Sequence, residues 1–358
     1  MSTRPARGRV RRRAFLGCLA LSGVAWGQDW GGLASEVTQF MAQYQVPGLS
    51  VAFARQGRMV YQHGFGFADT SRREPVNPSN RFRIASVTKP FTSATLMRLM
   101  EAGRLRLSDR VFGPGSILGD DFGQPSGPWL TDLSVEHLLT HTGGGWPNDG
   151  TDPMFHHREM DQRQLIAWTL ANQPLSNPPG THYAYSNFGY CILGRVVEKL
   201  TGKPYEQAVR DLVLVPCGIH SMEIGDNRRR PQEVVYYGGE PYAMNVRRMD
   251  SHGGWIATAS DLVAFLLRVD DFPSVADILR HDTIQTMVTG TTANPHYAKG
   301  WEVNDAHNWW HNGSLPGTTT LMVRTSSGWC WAALTNTRQE GMGLALDRLM
   351  WRLRELLP

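Results

Sequence analysis

Apolar positions recur at helical spacing over residues 33–45, until Pro47-Gly48 breaks the run. Two strand-like stretches follow, 49–55 and 59–67, joined at Gln56-Gly57 in the pattern of a β-hairpin. A polar loop through Pro78 leads into Phe82-Arg83-Ile84. A helix opens near Ser86, with Leu96, Leu99 and Met100 on one face. Further helical patterns near 134–141, 161–171, 188–201 and 205–213 alternate with Gly/Pro-rich loops such as 143–147 and 178–180. Residues 255–269 and 274–288 read as helices. Short apolar strands at about 298–303, 308–311, 318–325 and 329–335 precede an amphipathic helix over 342–357. Its Leu346, Leu349, Met350, Leu353 and Leu357 line the inward side.

This order predicts an α/β (α+β) fold: an antiparallel sheet flanked by helices and formed by both chain ends, with an inserted, mainly helical lobe at about 104–250. A cleft between lobe and sheet is a natural place for a site. At 358 residues the chain buries a sizeable core without staples. It has no run of 18 uncharged apolar residues, which excludes a multi-span membrane protein.

The formal net charge of +4 is unevenly distributed. Residues 1–27 carry six arginines and no acid, so the remainder has a net charge of −2 and gives no reason to expect a nucleic-acid partner. The leader has an Arg-rich start, an apolar run over 14–26 and a small-x-small site at Ala25-Trp26-Gly27. Arg12-Arg13-Ala14-Phe15-Leu16 is similar to the twin-arginine export signature. The expectation is an exported, periplasmic or secreted protein with residues 1–27 as its signal and 28–358 as a single catalytic domain. A disordered basic tail and a mitochondrial presequence share the same composition. Cys18 lies at the start of the apolar run, where a lipoprotein cysteine would close it. Cys191, Cys217 and Cys330 allow at most one disulfide, match no metal spacing, and read as small buried apolar residues.

Three segments carry candidate chemistry. In Ser86-Val87-Thr88-Lys89, helical i, i+3 spacing brings the hydroxyl and amine within reach of each other. A serine needs a base to become a nucleophile, and lysine serves only when kept neutral by burial or neighbouring positive charge. The same spacing suits a surface lysine beside a capping serine. Yet the chain has only four lysines, and this is its sole S-x-x-K. Tyr185-Ser186-Asn187 places a tyrosine on a loop ahead of a helix, where it can pass a proton. His311-Asn312-Gly313-Ser314 ends a strand-like run, with a glycine for close approach and the Ser314 N–H available to an oxyanion.

In this order, the segments resemble the serine β-lactamase and penicillin-binding protein superfamily, particularly its class C β-lactamase, D-alanyl-D-alanine carboxypeptidase and family VIII esterase branch. The resemblance covers roughly residues 33–355. It includes Phe82 to Lys89, Leu138-Leu139-Thr140-His141-Thr142-Gly143-Gly144, Tyr183 to Tyr190, and Gly253 to Leu262. It implies that Ser86 is the nucleophile, that Lys89 helps deprotonate it, and that Tyr185 carries protons. It also implies that Asn187 orients Lys89 and the substrate amide, that the N–H groups of Ser86 and Ser314 hold the oxyanion, and that His311 and Asn312 line the substrate strand. No Lys-Thr-Gly or Lys-Ser-Gly occurs, and a histidine is mostly neutral at pH 7. That departure favours an esterase or D-amino-acid peptidase or amidase over an efficient β-lactamase. A non-catalytic relative that binds cell-wall or peptide ligands is the remaining alternative.

No cofactor and no metal is expected. His137 and His141 have ligand spacing, but the order His-Glu-x-x-His is not met. Gly-x-Ser-x-Gly is absent, and Asp121-Phe122-Gly123 lacks its kinase partners. The expected partner is a small-molecule ester, peptide or amide substrate; oligomeric state is not legible.

Overall fold

The computed structural model describes residues 31–124 and 127–358; the leader and Cys18 lie outside the described residues. Helix α1 (Gly31–Gln43) leads into strands β1 (Gly48–Arg55) and β2 (Arg58–Asp69), then the short β3 (Glu74–Pro75) and β4 (Phe82–Arg83). Helix α2 (Thr88–Glu101) follows. The middle of the chain supplies α3 (Val135–Leu139), α4 (Gln162–Asn172), α5 (Asn187–Thr201) and α6 (Tyr205–Val209). Next come β5 (Glu223–Ile224), β6 (Trp255–Ala257), α7 (Ala259–Leu266) and α8 (His281–Val288). Strands β7 (Glu302–Val303), β8 (Trp309–Leu315), β9 (Thr318–Arg324) and β10 (Trp329–Thr335) precede α9 (Met342–Glu355).

The main sheet runs β3-β2-β1-β10-β9-β8-β7, so the front hairpin and the back strands meet where β1 pairs antiparallel with β10. A small second sheet has the order β4-β6-β5. This is the expected α/β arrangement. Among the described residues no helix is long and apolar enough to cross a membrane.

Both faces of the central strands are buried, and period-two alternation divides their side chains by size. Leu49, Val51, Phe53, Leu321, Val323 and Trp331 point to one face, where α1 and α9 cover them with Val37, Phe40, Leu346 and Leu349. On the other face Ala52, Ala54, Cys330 and Ala332 are small, and α7 closes on β1 and β10. Each fully buried leucine or phenylalanine on these faces contributes roughly 1.5–3 kcal/mol relative to exposure.

Several sequence expectations are corrected here. Residues 255–257 form β6, which pairs with β4 through Phe82 and Ala257; helix α7 begins only after Thr258. A three-residue apolar run fits strand or helix equally, and the partner strand decides. The Thr258 hydroxyl accepts from the Asp261 N–H in a capping box that fixes the helix start. Of 274–288 only α8 is helical, and the Ile278 N–H is drawn to the Arg268 carbonyl instead (2.8 Å). Strand β8 continues to Leu315, so His311, Asn312, Gly313 and Ser314 lie inside a strand and not at its end.

Candidate active site

Between β4 and α2 the chain makes a tight turn at Ala85–Val87, with Ala85 at φ +48°. A left-handed alanine costs on the order of 1–3 kcal/mol and persists only where the surroundings hold it. Strand β9 does so: Thr320 Oγ1 donates to the Ile84 carbonyl (2.9 Å) and Thr318 Oγ1 to the Arg83 carbonyl (3.1 Å). On β8, a Cβ at Gly313 would run into the Thr320 hydroxyl and the Ile84 carbonyl, so only glycine lets the strand close on this turn. The result is a half-buried Ser86 at the start of α2, beside β8.

Lys89, one helical turn on, is fully buried. Its Nζ lies 3.1 Å from Ser86 Oγ, donates to Asn187 Oδ1 (2.9 Å) and the His252 carbonyl (3.1 Å), and lies 4.7 Å from the Tyr185 ring centre. Asn187, first residue of α5, uses its Nδ2 on Asn148 Oδ1 (2.9 Å) and Asp152 Oδ2 (3.0 Å). Burial draws the lysine well below its usual range, with the Asp152 carboxylate working the other way. Burial likewise pushes the Asp152 carboxyl up to about 6, against hydrogen bonds from Met154 and Asn187 and the field of Lys89. Both shifts favour uncharged forms.

Tyr185 is held by its backbone: its carbonyl accepts from the Asn148 N–H (2.6 Å), and the Ala184 N–H donates to His141 (2.8 Å). Ser186 caps α5 by accepting from the Gly189 N–H (3.0 Å). Burial raises the pKa of the Tyr185 hydroxyl far above that of free tyrosine, against a lowering by the nearby Ser86 side chain. The hydroxyl therefore stays protonated.

A second chain of polar groups lies behind. The Ser186 N–H donates to His141 Nδ1 (3.1 Å), His141 Nε2 meets the Tyr297 hydroxyl (3.0 Å), and that hydroxyl meets His311 Nε2 (3.1 Å). His311 Nδ1 closes on the Asn312 carbonyl (2.7 Å). All three side chains are at most 2% exposed. Burial, then the positive field of Lys89, pushes the His311 imidazole down to about 3; the same causes hold His141 well below its usual value.

The structure thus brings Ser86, Lys89, Tyr185 and Asn187 together. His311 sits behind them with both ring nitrogens occupied, and Gly313 abuts the Ser86 turn. Asn312 and Ser314 turn their side chains to the exposed face of β8, where Asn312 Nδ2 donates to the Glu302 carboxylate (3.3 Å). A cleft of about 450 Å³ lies on that face, lined by Trp310, Asn312, Asp347 and Trp351; it shares the strand but not Ser86 or Lys89. Trp146, Trp255 and Trp309 are core residues. Cys191, Cys217 and Cys330 are unpaired. His137 and His141 diverge, since His137 Nδ1 accepts from the Ser134 N–H in the α3 capping box. Sequence reasoning missed Asp152 and Tyr297. It met His141 inside a quoted motif and weighed it only as a metal ligand.

The sheet-and-lobe fold, with a buried lysine beside a half-buried serine, defines the broad class. The Beta-lactamase family model matches residues 33–354, and the chain belongs to that family. Penicillin-binding protein 4* of Bacillus subtilis (strain 168) is 26% identical over 307 residues, covering 77% of this chain and 64% of that protein. Esterase EstB of Burkholderia gladioli is 29% identical over 243 residues, covering 64% of this chain and 61% of that protein. The chain therefore spans less than two thirds of the length of these relatives. The D-amino acid amidase from Ochrobactrum anthropi SV3, solved in complex with L-phenylalanine amide, superposes with a TM-score of 0.75 at 21% identity over 91% of this chain and 97% of that one. At that identity the likeness concerns the fold.

Proposed function

We propose that this protein is a serine acyl hydrolase that forms an acyl-enzyme on Ser86 and acts on small-molecule esters or on amides and peptides containing D-amino acids. The observation that carries it is a fully buried Lys89 Nζ placed 3.1 Å from Ser86 Oγ. Neutral Lys89 takes the Ser86 proton as Oγ attacks the substrate carbonyl carbon. The carbonyl oxygen becomes an oxyanion facing the N–H groups of Ser86 and Ser314. The proton passes through the Tyr185 hydroxyl to the leaving oxygen or nitrogen as its bond to carbon breaks. Water then attacks the acyl ester, loses a proton to the same pair, and Ser86 departs carrying that proton.

Neutral, fully occupied His311 offers no fixed cation to a substrate carboxylate, which supports ester or amide substrates over efficient penicillin hydrolysis. Relatives named as an esterase and a D-amino acid amidase fall within this range. A signal at 1–27 would carry the mature domain outside the cytoplasm, which cell fractionation checks.

Turnover of p-nitrophenyl butyrate and D-alanine p-nitroanilide tests the reading. Ser86→Ala should lower kcat by at least ~10³-fold with either substrate, and intact mass after benzylpenicillin should show an adduct in wild type alone. Equal turnover by wild type and variant would overturn the assignment.

A further inference from the structure

The ends of the chain through His141, Tyr297 and His311 determine where every proton in it sits. The Ser186 N–H can only donate, so His141 Nδ1 bears no hydrogen; in a neutral ring the hydrogen is then on Nε2, aimed at the Tyr297 oxygen. At the other end the Asn312 carbonyl can only accept, so His311 Nδ1 bears the hydrogen and Nε2 is an acceptor. The Tyr297 hydroxyl closes the sequence by receiving from one imidazole and donating to the other. The two ends agree on one direction, and reversing any member leaves two donors or two acceptors face to face in a dry interior.

The anchors lie on different elements of the fold. Ser186 follows Tyr185 on the helical side, whereas Asn312 belongs to β8 on the sheet side. Backbone groups of an antiparallel strand alternate, so the Asn312 carbonyl and the Ser314 N–H point to the same edge. Under the acyl-enzyme reading, that edge receives the oxyanion.

We propose that His141 and Tyr297 are positioning residues: with His311 they form a one-directional hydrogen-bonded strut that fixes the Asn312 carbonyl, and with it the oxyanion-facing edge of β8, relative to the Tyr185 loop. This inference rests on the proposed acyl-enzyme function, because the edge matters only if Ser314 serves an oxyanion. The strut explains why His311 is buried, with no nitrogen left for substrate. It also gives a role to a left-handed His141 (φ +57°), whose backbone turn delivers the ring to Tyr297.

The strut is tested first in the native full chain, by long-range ¹H–¹⁵N spectra of protein carrying ¹⁵N-labelled histidine, with His141→Gln and His311→Gln as assignments. His141 should be the Nε2–H tautomer and His311 the Nδ1–H tautomer; any other pair overturns the strut whatever the activity. Tyr297→Phe should then lower kcat for p-nitrophenyl butyrate by about 10- to 100-fold per titrated active site, with KM changed less than about threefold. The double variant Tyr297→Phe/His141→Gln should be no slower than the slower single, because both cut one chain. A purely structural role would lower melting temperature and the titratable fraction and leave kcat per active site unchanged, which also overturns the proposal. If the tautomers are as stated but wild type shows no Ser86-dependent turnover, the hydrolase reading fails and the positioning role falls with it.

Discussion

On the helical side of Ser86, polar groups run from Asp152 through Asn187 to Lys89 and end in two ionisable side chains. A second set crosses from the helical side to the sheet, from the Ser186 N–H through His141, Tyr297 and His311 to the Asn312 carbonyl, and none is charged. The two chains are similarly buried, so burial does not distinguish them. The first is adjustable: lysine and carboxyl are each pushed toward their neutral forms, so a proton can arrive and leave at small cost. The second is fixed, because each member has a single satisfying orientation. Under the proposed mechanism, movable charge sits where the reaction moves a proton, and immobile neutral groups sit where geometry has to hold.

The sharpest way to break this contrast is Lys89→Met, which keeps the buried stem and removes the base. Turnover of both substrates should fall by about 10³-fold or more while the fold persists, read by circular dichroism beside kcat. A smaller and more selective loss is expected from Tyr185→Phe: about 10²-fold for the anilide, whose nitrogen must be protonated to leave, and distinctly less for the p-nitrophenyl ester. Equal losses on the two substrates would remove Tyr185 from the leaving-group step.

The mildest change concerns Asp152→Asn. The carboxylate holds the lysine up, so without it Lys89 becomes neutral at lower pH and the acid limb of kcat/KM moves to lower pH. Stability carries its own sign. A carboxyl raised to about 6 from 3.8 contributes stability that is complete below about pH 4 and lost as pH rises through 6. The variant lacks that loss, so its urea midpoint relative to wild type should rise between pH 4 and pH 7. A Tyr297→Phe variant whose acid limb moved as far as that of Asp152→Asn would erase the distinction between the two chains.

Much of the helical-side chemistry was legible because it is local or carried by named segments. Ser86 and Lys89 are joined by i, i+3 spacing in a chain poor in lysine, and Tyr185 and Asn187 by a two-residue step. Asp152 and Tyr297 were not legible. Each reaches the site from an irregular stretch, and neither has a spacing relation to the residues it touches. The same physics explains the fold errors. Trp255-Ile256-Ala257 is too short for its period to decide between strand and helix, and pairing with Phe82-Arg83 decides. Where a long amphipathic face was available, as in α9, the reading and the structure agree to within two residues.

The pairing of β1 with β10 also sets an order of events during synthesis. Leu49 finds its partner in Thr335, and the threonines that hold the turn before Ser86 come from β9. A nascent chain emerging from the ribosome therefore exposes the Ser86 segment long before the strands that shape it exist. Contacts between such distant parts of a sequence form slowly. The turn around Ser86 is held in place only after β8, β9 and β10 have been made, so a truncated translation product would carry Ser86, Lys89 and Tyr185 and still lack the arrangement around them.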